Sequence, residues 1–330
     1  EAGWKHLIVN SVGLLLGFLG TLLFLNAAAS VGEVGTFISW DALRTLSPAL
    51  DPMLIKIAFI FCLVGYGTKV GFVPMHTWLP DAHSKAPAPI SSLLSGVLLN
   101  MALIAVIRFR AITDMVIDPS FSQYLLIGFG LVSLIVAALI IFGQKNYKRM
   151  LAYSSIEHMG LMAIGFAIGG VAAVAALFHM LYHALLKPIL FFAAGNFFLK
   201  YSSTKTLKIR GALTLMPFTA VAFFAALLAV SGIPPSGIFF TKLTMLSAGI
   251  DAFPYSMLLV MVALALILAG FLKSATLMLF SEAPADLPKG EANAWTVAAI
   301  AFLALLFVVF SIYVPAPLRE LITNAAAIIQ

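Results

Sequence analysis

Charge and cysteine are scarce in this sequence. Only 10% of its 330 residues are Asp, Glu, Lys or Arg, and 62% are hydrophobic, whereas a soluble protein has about 25% charged residues. So few charges cannot give a protein of 35.2 kDa a water-facing surface. The single cysteine, Cys62, excludes an intrachain disulfide and a cysteine-ligated zinc or iron–sulfur centre.

The sequence also lacks the motifs of common catalytic and cofactor sites. It contains no P-loop, no dinucleotide-binding glycine pattern at a strand–helix turn, no nucleophile elbow and no CxxC pair. We therefore expect no bound cofactor and no catalytic centre in this chain, so that any redox centre lies on a partner subunit. These absences leave open whether the chain is a subunit of an enzyme.

Long hydrophobic runs dominate the sequence instead. Nine are long enough to cross the hydrocarbon core of a membrane, which is about 30 Å thick. Segments in lipid satisfy their backbone hydrogen bonds internally, and these runs do not alternate as barrel strands do. We predict an all-α fold, a polytopic bundle of transmembrane helices. The predicted spans are 7–28, 52–73, 89–109, 122–143, 150–169, 171–199, 213–249, 255–280 and 292–314.

The net charge of +6 is explained by the loops, without a nucleic-acid partner. When alternate loops are counted, one side of the membrane carries most of the basic residues, and that side is predicted to be cytoplasmic. The richer side holds Lys5, Lys85, Lys145, Lys148, Arg149, Lys200, Lys205, Lys208, Arg210 and Lys289, and the other holds Arg44, Arg108, Arg110 and Arg319. The predicted location is the inner (plasma) membrane of a bacterial or archaeal cell. The largest polar insertions are 29–51, 200–212 and 281–291.

Two predicted spans contain residues that interrupt helices. The second contains GYG at 65–67 and ends in Gly71 and Pro74, and the seventh contains SGIPPSG at 231–237. Adjacent prolines cannot lie inside a continuous helix, and non-helical backbone at membrane depth survives only against protein or a wet cavity. A lone proline is commonly a packing kink, but two such breaks predict a transport site.

Five lysines fall within the predicted spans, and four of them are considered first, because Lys187 belongs to the motif described below. A lysine at the centre of a membrane helix costs about 3 kcal/mol. Lys56 lies near a helix end, from which its side chain can extend to the membrane surface; Lys273 is deeper and is either structural or functional. Lys69 directly follows GYG and Lys242 follows SGIPPSG. From these positions a lysine side chain does not readily reach the membrane surface, so we predict functional roles for both.

The segment FHMLYHALLKP, residues 178–188, places three basic groups on one helix face. His179, His183 and Lys187 are four residues apart, which aligns their side chains. A zinc pair has this histidine spacing, but a lysine one turn away repels a cation. An interhelical hydrogen-bond ladder is the structural alternative. We favour a proton relay, because imidazoles titrate near neutral pH.

Two further polar segments accompany this motif. Glu157 and His158 lie part-way into the fifth span, where the carboxylate needs a cationic partner or serves as a helix cap facing the cytoplasm. The loop at 74–96 carries His76, Asp81 and His83. It is either a capped boundary between two half-helices or the polar mouth of a proton path; a metal site there lacks a defined spacing.

These motifs together resemble the antiporter-like proton-translocating membrane subunits. Proteins of this family occur in respiratory complex I, in Mrp-type sodium/proton antiporters and in membrane-bound [NiFe] hydrogenases. The branch that this sequence most resembles is hydrogenase-4 (formate hydrogenlyase) component F. The resemblance rests on GYGTKVGFVPMHTWLPDAHSKAPAPISSLLSGVLL (65–99), KRMLAYSSIEHMG (148–160), FHMLYHALLKPILFFAAGN (178–196) and SGIPPSGIFFTKL (231–243).

The resemblance implies two inverted repeats, each containing one broken helix, joined by a mid-membrane relay of Lys, His and Glu. By motif, Lys69 matches the lysine of the first broken helix and Lys242 the ionisable residue of the second. His179, His183 and Lys187 match the central connecting group. We predict a first repeat remnant at 1–110, a second repeat at 111–280, and a C-terminal helix and tail at 281–330.

Two departures from the family pattern matter. Asn100 stands where some relatives carry a lysine. The family's first repeat begins several helices earlier, with a glutamate that pairs with the first lysine, so we expect this sequence to be N-terminally truncated. The resemblance implies proton translocation within a redox-driven complex, with other membrane subunits and a peripheral redox arm as partners. An Mrp-type sodium/proton antiporter subunit and a non-conducting scaffold are the alternatives.

Overall fold

The computed structural model describes residues 1–32 and 39–329. Residues 33–38 of the predicted polar insertion 29–51 lie outside this part. Fifteen α-helices are present in the described residues. They are α1 (Ala2–Ala29), α2 (Trp40–Leu46), α3 (Pro52–Val70), α4 (Trp78–Lys85), α5 (Ala88–Leu93), α6 (Leu99–Val116), α7 (Ser120–Gly143), α8 (Tyr147–Ile168), α9 (Gly170–Tyr201), α10 (Ala212–Leu215), α11 (Pro217–Ser231), α12 (Gly237–Gly249), α13 (Pro254–Leu279), α14 (Ala294–Ile312) and α15 (Ala316–Ile329).

The membrane-spanning pattern follows the sequence prediction closely. Within the described residues, eight helical segments are long and apolar enough to cross a membrane, and each overlaps a predicted span. The remaining predicted span, 213–249, is divided between α11 and α12. The all-α, multi-pass architecture is therefore confirmed. The predicted boundary at residue 110 falls inside α6, which continues to Val116.

The GYG segment does not break its helix, so this part of the prediction was wrong. Helix α3 continues through Gly65 and Gly67 to Val70. A Cβ atom at Gly65 would lie 2.1 Å from the backbone nitrogen of Gly17 on α1. Gly65 therefore allows the backbones of α1 and α3 to touch, which is the usual role of small residues between membrane helices.

The first break lies just after Lys69. Gly71 ends α3 with φ +90°, a left-handed conformation that glycine adopts without strain. The amide of Val73 leaves the helix pattern and donates to Ser133 Oγ at 3.0 Å. A short 3₁₀ turn leads from Pro74 into α4, so Lys69 is the next-to-last residue of the first half-helix.

The second break is where the sequence predicts it. Helix α11 ends at Ser231, and Gly232 turns the chain with φ +90°. Pro234 and Pro235 follow, and α12 begins at Gly237 behind Ser236, whose side chain caps the amide of Phe239. Lys242 therefore lies on the second half-helix, one turn inside its start.

Helices α8 and α9 form the centre of the bundle. Every residue of α8 from Tyr147 to Ala167 is buried except Arg149. Helix α9 contacts α8 on one side and α5, α11, α12 and α14 on others. Polar side chains in the middle of α8 and α9, such as Glu157 and Lys187, are therefore enclosed by protein and shielded from lipid, as the cost of charge in hydrocarbon requires.

Candidate functional site

A buried ion pair joins the second broken helix to α8. Lys242 Nζ lies 2.9 Å from Glu157 Oε1. Glu157 is fully buried, and Lys242 is 4% exposed. Lys242 is therefore the cationic partner that the position of Glu157 requires, because a buried charge persists only where it is paired.

Two backbone carbonyls complete the surroundings of this ammonium group. Lys242 Nζ donates to the oxygens of Val230 and Ser231 at 3.2 and 3.3 Å. In an uninterrupted helix these carbonyls would accept from residues 234 and 235, but both are prolines and have no N–H. The two prolines thus leave two carbonyls free at the negative end of α11, where a cation is favoured.

A line of histidines continues from Glu157 into α9. His158 Nδ1 lies 2.7 Å from His179 Nε2, and His179 Nδ1 lies 2.8 Å from Thr241 Oγ1. The Thr241 hydroxyl can donate its one proton to the Ile238 carbonyl. In that arrangement its oxygen accepts from His179 Nδ1, and in neutral His179 the other nitrogen accepts from His158 Nδ1.

This hydrogen-bond order places a proton-binding position between Glu157 and His158. With its proton on Nδ1, neutral His158 has none on Nε2, and that atom lies 3.4 Å from Glu157 Oε2. Neither of these two atoms has a hydrogen-bond partner among the described residues. A hydrogen bond between them needs one more proton, carried by the carboxyl or by the imidazole. The pair can therefore take up and release one proton while its neighbours keep theirs.

The remaining basic groups of α9 lie on the same side of the helix. The ring of His183 lies 5.1 Å from that of His158, centroid to centroid, and neither ring nitrogen of His183 has a hydrogen-bond partner in the described residues. Lys187, fully buried, donates to the Leu151 carbonyl at 2.9 Å and to Ser154 Oγ. The three-residue motif on α9 thus faces α8 throughout, as its spacing predicts.

Lys69 is not joined to this group. It is partly buried, and its ammonium lies 5.4 Å from the centre of the Trp78 ring, a cation–π contact. Among the described residues Lys69 has no ion-pair partner. Asn100 bridges neighbouring elements by donating to the carbonyls of Gly96 and Met180, so it binds the backbone of α9.

The other two lysines within spans lie on the outside. Lys56 and Lys273 are exposed and stand over the rings of Phe121 and Phe142, at 5.7 and 5.1 Å from their centres. An exposed ammonium group is solvated without a buried partner, so the surface interpretation holds for Lys56 and applies to Lys273 as well.

The polar residues of the 74–96 segment separate into two environments. Asp81 forms ion pairs at 3.0 Å with Lys5 and with Arg149, which tie α4 to α1 and α8. His83 is fully buried, and its ring stacks on Phe191 with a centroid distance of 4.9 Å. Within the ranges described, no group of three His, Cys, Asp or Glu residues is arranged to hold a metal ion.

The prediction that Arg110 is a loop residue was wrong. It lies inside α6, 8% exposed, paired with Asp114 at 3.0 Å. Its guanidinium also donates to the Phe166 carbonyl in the last turn of α8, and Gln123 donates to the neighbouring Ala167 carbonyl at 2.9 Å. These groups cap the helix that carries Glu157 and His158. The i, i+4 spacing of Arg110 and Asp114 is the signal that could have identified the pair.

Comparison with known proteins places this geometry in context. Residues 1–268 match the family model described as NADH:quinone oxidoreductase/Mrp antiporter, TM. A hydrogenase-4 component F homolog of Methylacidiphilum infernorum (isolate V4) is 34% identical over 334 residues, which cover 100% of this chain and 69% of that protein. The NAD(P)H-quinone oxidoreductase chain 4 2 of Thermosynechococcus vestitus is 38% identical over 232 residues, 68% of this chain and 42% of that protein. The chain therefore spans about two thirds of the first relative and less than half of the second.

A solved structure shares the fold over the whole chain. The membrane-bound sulfane sulfur reductase, an archaeal respiratory membrane complex, contains a chain that superposes with a TM-score of 0.88 at 26% identity. The match covers 100% of this chain and 66% of that one. The helix arrangement described above thus matches that of a chain in this archaeal respiratory membrane complex.

Proposed function

This chain belongs to the family of NADH:quinone oxidoreductase and Mrp antiporter membrane subunits, and from that premise we propose that it moves protons across the membrane as one subunit of a redox-driven complex. The complex would be a membrane-bound hydrogenase or a complex I-like oxidoreductase in the plasma membrane of a bacterium or archaeon. Other membrane subunits and a peripheral redox arm would be its partners.

The observation that carries this proposal is the buried line from Lys242 through Glu157 and His158 to His179. Its contacts measure 2.9, 3.4 and 2.7 Å. Each of these groups changes between its neutral and charged forms by gaining or losing one proton. The Glu157–His158 pair can bind one further proton. A purely structural ladder would have all its buried polar atoms paired, whereas this one leaves Glu157 Oε2 and His158 Nε2 without hydrogen-bond partners among the described residues.

His183 and Lys187 would extend the relay along α9. Since the nitrogens of His183 find no protein partner in the described chain, transfer through this residue would use bridging water, which buried polar groups commonly bind. A proton arriving on Lys187 would repel one on the His158 side, because the low-dielectric interior strengthens charge–charge interactions. Lys69 would act in the first repeat, coupled to this line at a distance.

The division of the chain follows the same proposal. Residues 1–110 would be the remainder of one antiporter repeat, 111–280 the second repeat, and 281–330 a C-terminal helix and tail. The first boundary is better placed after α6, which ends at Val116. Each unit then contains one of the two broken helices, with Lys69 before its break and Lys242 after.

The test is proton pumping in inverted membrane vesicles that contain the intact complex. We expect Lys187→Ala to abolish the pH gradient formed during turnover while the complex still assembles. Lys273→Ala is the matched control, because it removes a lysine of the same type from an exposed position on a transmembrane helix.

A scaffold function predicts a different outcome. If Lys187→Ala and Lys273→Ala form equal gradients at equal assembly, the relay on α9 does not conduct, and the chain only holds its partners together. Loss of pumping in both variants would point to general damage, which the amount of assembled complex on native gels reveals.

A further inference from the structure

Lys242 ends in a cage of three oxygen atoms. One is Glu157 Oε1 and the others are the carbonyls of Val230 and Ser231, at 2.9, 3.2 and 3.3 Å from the ammonium nitrogen. Oxygen atoms of this kind, a carboxylate and the carbonyls at the end of an interrupted helix, are the ligands with which membrane proteins bind monovalent cations.

The cage exists independently of the lysine that fills it. The two carbonyls are freed by Pro234 and Pro235, which cannot donate to them, and their position is fixed by the end of α11. The carboxylate comes from α8, and its second oxygen is buried without a hydrogen-bond partner in the described residues. Lys242 itself arrives from α12. Removing its side chain would leave three oxygens facing one another with a net negative charge.

We propose that this cage is a monovalent-cation site that Lys242 keeps filled with its own ammonium group. An ammonium ion and a potassium ion are of similar size, so a tethered ammonium excludes alkali cations by occupying their place. Gly232 leaves room for it, since a Cβ atom there would lie 3.0 Å from Lys242 Cδ. Lys242 is then a specificity-determining residue, which restricts the chain to protons. The role that this inference gives Lys242 in transport rests on the proposed function.

The test measures cation binding directly, without transport. The intact complex is purified in detergent, and its thermal unfolding is followed in KCl, NaCl or choline chloride at equal ionic strength and mildly alkaline pH. We expect the Tm of Lys242→Ala to rise saturably with KCl or NaCl relative to choline chloride, because a ligand that binds only the folded state stabilises it. The wild-type Tm should be the same in all three salts.

Two variants define the site. Adding Glu157→Gln to Lys242→Ala should abolish the cation dependence, because the carboxylate is removed. Lys187→Ala is the matched control: Lys187 is equally buried, but its contacts are a carbonyl and a hydroxyl, with no carboxylate. It should show no cation dependence.

The outcomes separate this inference from the proposed function. Equal Tm values for Lys242→Ala in all three salts would overturn the cation site, whatever the pumping result. If Lys242→Ala assembles only in the presence of KCl or NaCl, the inference is supported. If Lys242→Ala assembles with neither KCl nor NaCl, the Tm of Lys242→Gln is measured in its place, since its amide oxygen can join the cage. A salt-independent Tm for Lys242→Gln overturns the inference. Absence of pumping by the wild type would contradict the proposed function alone.

Discussion

The two broken helices hold their lysines in different ways. Lys242 is enclosed by a carboxylate and two backbone carbonyls, whereas Lys69 is partly buried and faces the ring of Trp78. The cause lies in the breaks. After α11, two prolines leave two carbonyls to the lysine. After α3, the Thr68 carbonyl accepts from the Gly71 amide at 3.2 Å and from the indole N–H of Trp78 at 2.8 Å, so it is not available to Lys69.

The difference has an electrostatic consequence. A fully enclosed ion pair depends on both of its members, because a lone charge in the protein interior is expensive. A lysine over an aromatic ring depends on no single partner, since the contact contributes only about 0.5–2 kcal/mol. We therefore expect a change in the charge or position of Lys242 to require a matching change at Glu157, whereas Lys69 can change its charge or position at low cost.

The largest effect is expected from Glu157→Ala. Removing this carboxylate leaves Lys242 buried beside two carbonyls only, and breaking a buried pair in this way costs about 3–5 kcal/mol. The measurement is the free energy of unfolding in mixed detergent micelles. Lys69→Ala is the comparison and should cost only about 0.5–2 kcal/mol, the contribution of its contact with the Trp78 ring. Equal losses for the two variants would mean that the enclosure of Lys242 is unimportant.

Restoring amide donors at the second break should have the next largest effect. Pro234→Ala combined with Pro235→Ala supplies two N–H groups that compete for the carbonyls now bound by Lys242. Each such charge-assisted bond contributes about 1.5–3 kcal/mol, so we expect weaker proton pumping with assembly retained. Pro217→Ala is the control, because Pro217 lies in the first turn of α11, where the missing N–H has no helical partner. Unimpaired pumping in the double variant would show that the freed carbonyls are dispensable.

Much of this comparison could be predicted from the sequence. Composition and run length identified the spans, SGIPPSG located the second break, and the spacing on α9 predicted one polar face. The carbonyls that Pro234 and Pro235 release could also have been deduced, since each faces the residue four positions later. In these cases the cause is local along the chain.

The errors concern contacts between distant segments. The sequence predicts a break at GYG because glycine interrupts helices. In the structure, Gly65 allows the close approach of Gly17 on α1, a neighbour that the local pattern does not reveal. Arg110 was assigned to a loop because α6 was expected to end at 109. The pairing of Glu157 with Lys242 joins residues 85 positions apart. The sequence therefore predicts that Glu157 has a cationic partner but does not identify Lys242 as that partner.

A smaller effect is expected at the first break. Trp78→Phe removes the indole N–H that binds the Thr68 carbonyl but keeps an aromatic face beneath Lys69. The loss of one hydrogen bond costs about 1 kcal/mol, to be measured by unfolding of the assembled complex. Trp295→Phe, at a tryptophan that is 86% exposed, should cost little. If both variants are equally stable, the hydrogen bond does not hold the break in place.

The smallest effect is expected from giving Lys69 a carboxylate partner. This change tests whether such a partner alone makes the site of Lys69 similar to that of Lys242. His6 and Lys69 contact the same indole, at 4.9 Å between ring centroids and 5.4 Å from Nζ to the ring centre. His6→Glu would give Lys69 a carboxylate, but in a partly exposed position where an ion pair adds at most about 1 kcal/mol. We expect a slight rise in Tm, against none for His6→Gln. If His6→Glu stabilises the protein as much as Glu157→Ala destabilises it, the carboxylate distinguishes the second break from the first, and the enclosure made by the prolines does not.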